Sequence, residues 1–142
     1  MDHETTVRLR VLGEFAATRG GAVVDLGGRR QRAVLAALVI LRDQVVSSER
    51  LAGCLWGDNP PPNPAGAIQA YVSHLRRRLQ PEAVARKRDG VIASEAAGYV
   101  LRLPPDSVDA WCFERAVDLA AGLAPADAMR TLDEAPRPPA LR

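Results

Sequence analysis

The segment from Asn63 to Leu79, NPAGAIQAYVSHLRRRL, combines small, polar and cationic side chains in a pattern suited to nucleic-acid recognition. Guanidinium groups neutralise phosphates, and short side chains allow a helix to approach base edges in a major groove. Three consecutive arginines, Arg76 to Arg78, follow Ser73 and His74 in this segment. A charge run of this kind is also typical of a solvated surface helix, so by itself it leaves both interpretations open.

Catalysis is not indicated by the same residues. Adjacent helical residues such as Ser73 and His74 diverge by about 100°, and no acidic residue follows to orient the imidazole. The sequence has no glycine-rich phosphate loop with lysine, so nothing supports an ATPase. Cys54 and Cys112 have no second Cys or His at ligand spacing, which predicts two buried thiols rather than a metal site or a disulfide. We therefore expect no enzyme activity, no cofactor and no metal.

The same segment carries the signals of an amphipathic helix. Asn63 can cap a first turn, and Pro64 suits the first helical position because its missing N–H would have no partner there. Apolar residues at intervals of four, three and four form one stripe that must be buried: Ile68, Val72, Leu75 and Leu79. The opposite face carries the side chains available to a duplex: Ala70, Ser73 and Arg77, with His74 beside them and Gln69, Arg76 and Arg78 at the flanks. We predict that this helix, 63–79, reads the major groove.

The residues before this helix predict a small antiparallel sheet and a first helix. Period-two alternation predicts a strand over 7–12, and further short strands can lie at 15–18 and 22–26. The run GRRQRAVLAALVIL then predicts a helix with one apolar face: Val34, Ala37, Leu38 and Leu41. Three arginines crowd its first turn, Arg29, Arg30 and Arg32. Cations oppose the helix dipole at this end, so these side chains are either solvated or placed against phosphates.

A second helix and a proline-rich turn connect the first helix to the basic one. Ser48 is the predicted cap of a helix over 49–56, which would bury Leu51, Leu55 and Trp56. Residues 58–63 contain three consecutive prolines and cannot be helical. Helix, turn and basic helix in this order are typical of DNA-reading proteins.

A β-hairpin, or wing, is predicted after the basic helix. Residues 91–94 and 99–103 read as its two strands, with Tyr99, Leu101 and Leu103 facing one way and Val100 and Arg102 the other. Gly98 can supply the positive φ that such a loop often requires. The predicted fold class is therefore α+β: a winged helix-turn-helix with an N-terminal antiparallel sheet, three helices and a C-terminal hairpin wing, followed by a short helical pair.

Charge divides the chain into two parts. Residues 1–105 hold 15 Lys+Arg against 10 Asp+Glu, whereas residues 106–135 hold 2 against 7. This asymmetry predicts a winged-helix DNA-binding domain over 7–104, followed by a module with a different partner over 108–135. In that second part the apolar positions expected to be buried are Trp111, Ala116, Leu119, Ala120, Met129 and Leu132. One helix pair cannot bury its own apolar face, so the module looks truncated. The final residues, 136–142, are expected to be disordered.

Several strings in order resemble one family: GRRQRAVLAALVIL, LAGCLWGDNPPPN, YVSHLRRRL and AAGYVLRLPPDSVDAWCFE. Together they resemble the Streptomyces antibiotic regulatory protein family, over about residues 7–133. The resemblance implies a winged helix of the OmpR/PhoB type, followed by the start of a helical bacterial transcriptional activation domain. It implies a transcriptional activator that regulates antibiotic biosynthesis, recognises direct repeats near promoters and contacts bacterial RNA polymerase.

The resemblance also places DNA-contacting positions on this chain. Those positions fall on Ala70, Tyr71, Ser73, His74, Arg76 and Arg77, and the charge pattern adds Arg78, Arg29 and Arg30. One residue departs from the family pattern, because Glu95 stands where the wing tip often has a basic residue. A carboxylate there is repelled by phosphates, which puts minor-groove insertion in doubt, and the cluster Arg86 to Arg88 could compensate.

Sequence-specific binding of double-stranded DNA is the predicted function. The alternative is a protein-interaction adaptor or a truncated competitor of a full-length regulator. A second copy on the DNA is possible because such sites are often repeated. With no apolar run of eighteen residues and no basic, apolar leader, the sequence predicts no membrane partner and a cytoplasmic location.

Overall fold

The computed structural model describes residues 6–81, 90–95 and 97–135, which form strands followed by three helices, a hairpin and two further helices. The strands of the first sheet are β1 (Val7–Arg10), β2 (Ala16–Arg19) and β3 (Ala22–Val24), and the first three helices are α1 (Arg29–Ile40), α2 (Ser48–Trp56) and α3 (Pro64–Leu79). The hairpin consists of β4 (Ile92–Glu95) and β5 (Gly98–Leu101), and the last helices are α4 (Asp109–Ala121) and α5 (Pro125–Asp133). The predicted winged helix-turn-helix is confirmed.

The described chain divides into two compact units. One unit lies within residues 24–102, and the other joins residues 6–23 to residues 103–135. The predicted ranges, 7–104 and 108–135, group the first strands differently. The assignment of 108–135 to part of an activation domain stays a prediction.

The core of the unit at 24–102 lies between the three helices and the hairpin. Side chains from α1, α2 and α3 are almost completely excluded from solvent: Val34, Leu35, Leu38, Leu51, Ile68, Val72, Leu75 and Leu79. The predicted apolar stripe of α3 is therefore confirmed in full. Val46 exchanges two backbone hydrogen bonds with Tyr99, of 2.7 and 2.9 Å, and so forms a single antiparallel bridge to β5.

The other unit joins β1 to the start of α4. Leu9 forms a parallel bridge with Val108. The Asp109 carboxylate accepts hydrogen bonds from the backbone N–H groups of Val11, at 2.8 Å, and Leu12, at 3.2 Å. Trp111 is buried in this unit, and α4 and α5 pack on each other. These long-range bonds explain why the N-terminal strands group with the C-terminal helices.

Several local predictions need correction. The N-cap of α2 is Ser47, whose hydroxyl accepts from the N–H of Arg50 at 3.1 Å, and Ser48 is the first helical residue. Cys54 is exposed and Cys112 is half-buried, so neither is a buried thiol. Adjacent Val100 and Leu101 of the hairpin's second strand are both buried, so both faces of β5 are covered at this point.

The helical pair buries less apolar surface than its sequence pattern predicts. Leu119 is 60% exposed and Met129 is 64% exposed, whereas Trp111 and Ala120 are buried as expected. Ala116 and Leu132 are half-buried. A single pair of helices has only one mutual interface, so apolar residues outside that interface remain in contact with solvent.

Replacing Asn63 by alanine tests the cap that begins α3. Its side-chain oxygen accepts a hydrogen bond from the N–H of Gly66 at 3.1 Å, and Pro64 occupies the first turn. We expect Asn63→Ala to lower the free energy of unfolding by about 1 kcal/mol, measured by urea denaturation. Asn63→Asp is the matched control because its carboxylate also accepts from the first turn. Equal losses in both variants would show that the cap is not the cause.

Candidate nucleic-acid interface

The exposed face of α3 carries the side chains that are free to meet a duplex. Opposite the buried stripe, the solvent-exposed residues are Gln69, Ala70, Ser73, Arg77 and Arg78. The last turn contains three basic residues, which also complement the negative end of the helix dipole. Four of these five residues are among the predicted DNA-contacting positions, and the sequence placed Gln69 at the flank of the same face without assigning it a contact. Gln69 lies four residues before Ser73 on this face, and Gln can form two hydrogen bonds to adenine.

His74 lies at the edge of this face and packs on the loop before α1. It is half-buried, and its Nε2 atom is buried without a hydrogen-bond partner among the described residues. A Cβ added at Gly27 would come within 2.6 Å of this nitrogen, and Gly27 has a φ of +86°. A glycine is therefore required both for the turn and for the close approach of the imidazole. The Nε2 side of His74 is turned toward the protein.

Tyr71 belongs to a cleft shared by all three helices of the unit. The cleft has a volume of about 490 Å³ and is lined by Arg29, Arg30, Gln31, Ala33, Cys54, Leu55 and Tyr71. The Tyr71 ring lies 6.3 Å from Trp56, centroid to centroid, and the guanidinium carbon of Arg30 lies 5.2 Å from the Trp56 ring centroid. Trp56 is half-buried and contacts both Tyr71 and Arg30. The structure thus brings the start of α1 next to the middle of α3.

The first turn of α1 concentrates positive charge in this cleft. Its N-cap is Gly28, which provides no side-chain cap, and the first turn contains no acidic residue. Arg29, Arg30 and Arg32 are all exposed. Unpaired backbone N–H groups, the positive end of the helix dipole and arginines together favour an anion such as a phosphate.

Arg76 is placed differently from its two neighbours. Its Nε–H donates to the carbonyl of Ile92 at 2.9 Å, and its Nη2 donates to the Ser94 hydroxyl at 2.7 Å. The guanidinium carbon lies 5.8 Å from the Tyr99 ring centroid. Burial lowers the pKa of Arg76, and the interaction with Tyr99 opposes that shift. This side chain connects α3 to both strands of the hairpin.

The negative charge of Glu95 at the hairpin is paired with an arginine of the same region. The Glu95 carboxylate forms an ion pair with Arg102 across the two strands, so its charge is balanced within the hairpin. The cluster Arg86 to Arg88 lies outside the described residues.

No helix of the described residues has the length and apolar character needed to cross a membrane.

A helix-turn-helix whose second helix presents small and basic groups, followed by a hairpin, defines a winged-helix transcription regulator. The chain belongs to the family described as "Transcriptional regulatory protein, C terminal", which matches residues 21–101. The regulatory protein AfsR of Streptomyces coelicolor is 36% identical over 116 residues, which are 81% of this chain and 11% of AfsR. AfsR is a member of the Streptomyces antibiotic regulatory protein family, which confirms the resemblance recognised in the sequence.

Solved structures agree with this assignment. The structure of Mycobacterium tuberculosis EmbR in complex with a low-affinity phosphopeptide has a TM-score of 0.77 and 31% identity, covering 89% of this chain and 33% of that one. The Thermotoga maritima response regulator DrrB, an OmpR/PhoB homologue, shares the fold with a TM-score of 0.51 at 18% identity, covering 61% of this chain and 37% of DrrB. The present chain thus spans 11% of AfsR and 33% of EmbR.

Proposed function

We propose that this chain binds double-stranded DNA sequence-specifically, with α3 in the major groove. The observation that carries the proposal is the exposed face of α3, where Ala70, Ser73 and Arg77 lie together opposite a completely buried stripe. Small side chains allow close approach to base edges, and an arginine can form two hydrogen bonds to guanine. The predicted contacts Tyr71 and His74 lie at the border of this face, where they can still touch the backbone of the duplex.

Phosphate contacts come from two helices in this proposal. Arg78 lies at the end of α3, and Arg29 and Arg30 lie at the start of α1, beside Tyr71. A duplex seated on α3 would pass the uncapped first turn of α1, whose N–H groups and arginines suit a phosphate. The two groups of cations would then hold the recognition helix in register on the DNA.

The relatives support a role as a transcriptional regulator, and activation is part of the proposal. AfsR is named a regulatory protein and EmbR a transcriptional regulatory protein. We propose that this chain binds direct repeats near bacterial promoters, where a second copy can occupy the neighbouring repeat, and that it contacts RNA polymerase. Catalysis has no part in this proposal.

Selection from a random pool of duplexes, followed by a salt series on the selected sequence, tests the proposal. Besides Arg77, which is placed against a base, four exposed arginines lie on α1 and α3: Arg29, Arg30, Arg32 and Arg78. If each of these four neutralises one phosphate, the slope of log affinity against log salt approaches about −3.6. The affinity would then fall about 150-fold between about 50 and 200 mM salt. Binding that does not change with salt, or a pool that yields no enriched sequence, would refute it.

A protein-interaction adaptor is the second candidate, and the exposed apolar residues of the helical pair favour it. Leu119, Leu123 and Met129 present apolar surface to solvent. Pull-down of RNA polymerase without DNA separates the two candidates. Polymerase capture by a protein that binds no duplex at any salt concentration would favour the adaptor.

A further inference from the structure

The three arginines in the last turn of α3 differ in their exposure to solvent. Arg77 and Arg78 are exposed, whereas Arg76 is half-buried. This difference follows from the helical period, because Arg76 is one residue from the buried Leu75 and four from Val72. Arg76 therefore points along the border between the buried stripe and the exposed face, where the hairpin lies.

The guanidinium of Arg76 contacts both strands of the hairpin in a defined geometry. It donates to a backbone carbonyl and to a side-chain hydroxyl of β4, at Ile92 and Ser94, and lies over the ring of Tyr99 on β5. Two separate acceptors and an aromatic face match a planar group with several fixed donors. A lysine ammonium is a single point of charge and cannot reproduce this set.

Gln80, the C-cap of α3, also binds the chain at the start of the hairpin. The side-chain oxygen of Gln80 accepts a hydrogen bond from the N–H of Val91 at 2.6 Å. Gln80 lies four residues after Arg76, so both side chains project from one side of the end of α3. Together they bind β4 and the residue before it, and so fix the position of this strand relative to the recognition helix.

We propose that Arg76 is a positioning residue that holds the β4–β5 hairpin at a fixed place beside α3, and that it does not neutralise a DNA phosphate. This inference rests on the proposed binding of DNA by α3. A guanidinium that turned toward the duplex would give up its bonds to Ile92 and Ser94 and release the hairpin. Arg77 and Arg78 are exposed and have no such bond to the described residues of the hairpin, so they remain available to the DNA.

Conservative and non-conservative variants at two positions of the same helix turn separate geometry from charge. The comparison uses Arg76→Lys and Arg76→Ala, with Arg78→Lys and Arg78→Ala as matched controls, on the selected duplex over a salt series. Both Arg76 variants are expected to lose affinity by the same factor, about tenfold, with the salt slope of the unmodified protein. Arg78→Ala is expected to reduce the slope by about 0.9, and Arg78→Lys to retain it. Near-normal affinity of Arg76→Lys, or a reduced slope for Arg76→Ala, would overturn the proposal.

Hydrogen exchange in the free protein tests the positioning role of Arg76 without assuming that the protein binds DNA. Amide hydrogen exchange in the free protein is expected to become at least tenfold faster in the hairpin of Arg76→Lys and Arg76→Ala, with unchanged rates in the middle of α1. Ser94→Ala removes one acceptor without changing any charge and should produce the same pattern. Unchanged exchange in the hairpin would overturn the positioning role. A protein that shows the exchange effect but binds no duplex would refute only the proposed function.

Discussion

Replacing Gly98 by alanine is expected to lower the free energy of unfolding by about 3 kcal/mol, because there is no space for a methyl group at this position. A Cβ at Gly98 would lie 2.6 Å from the carbonyl carbon of Val46 and 2.8 Å from the Cα of Ser47, with the Val46 oxygen closer still. These are backbone atoms, which cannot move aside as the end of a side chain can. The two hydrogen bonds between Val46 and Tyr99 would have to lengthen or break. Urea denaturation measures the loss.

Gly53→Ala is the matched control for this substitution. Gly53 lies in the interior of α2, and a Cβ there meets no atom within 4 Å. Alanine is favoured over glycine inside a helix, so this variant should gain up to about 1 kcal/mol. If Gly98→Ala and Gly53→Ala had the same free energy of unfolding, Val46 could not lie as close to Gly98 as the structure has it.

The double substitution Arg77→Ala and Arg78→Ala is expected to weaken binding to the selected duplex about 100-fold, which corresponds to about 2.7 kcal/mol. Arg77 lies on the exposed face beside Ser73, where it can read a base, and Arg78 lies at the flank, where it can meet a phosphate. The loss should come with a less steep salt dependence and a relaxed preference at one base pair. Fluorescence anisotropy with duplexes varied at single positions measures all three quantities.

Two arginines of the helical pair provide the control for net charge. Arg115 and Arg130 form ion pairs with Asp106 and Asp127 on the surface of that unit. Their double substitution by alanine removes the same charge from the chain, and exposed pairs of this kind contribute little to stability. We expect affinity to change by less than about threefold and the salt slope to stay the same. Equal losses in both double variants would mean that binding depends on total charge rather than on the face of α3.

The positions of the helices followed from local signals. The Asn63 cap, the proline after it and the apolar period of α3 all involve residues within a few positions of each other, and the structure has each of them as predicted. The prediction of two short strands around Gly98 succeeded for the same reason. The cap of α2 was wrong by one residue, because Ser47 and Ser48 both have the required side chain and only the backbone geometry distinguishes them.

Burial in the helical pair was predicted less well. The apolar positions of α4 and α5 indicate which faces could be covered, but they do not reveal whether another element covers them. Leu119 and Met129 are largely exposed, so no element of the described chain covers them. A periodic pattern identifies an apolar face, and its burial depends on the presence of a partner.

The sequence by itself determined that α3 exists, where it begins, which edge is buried and that arginines crowd its last turn, since helix geometry and capping act over one or two turns of the chain. The tertiary structure decided which of those arginines is held by the hairpin, because the acceptors of Arg76 lie 16 and 18 residues away. It also placed the imidazole of His74 on Gly27 and joined Asp109 to the backbone of Val11, 98 residues earlier. Contacts at such separations depend on how whole elements pack together, and side-chain periodicity carries no information about that packing.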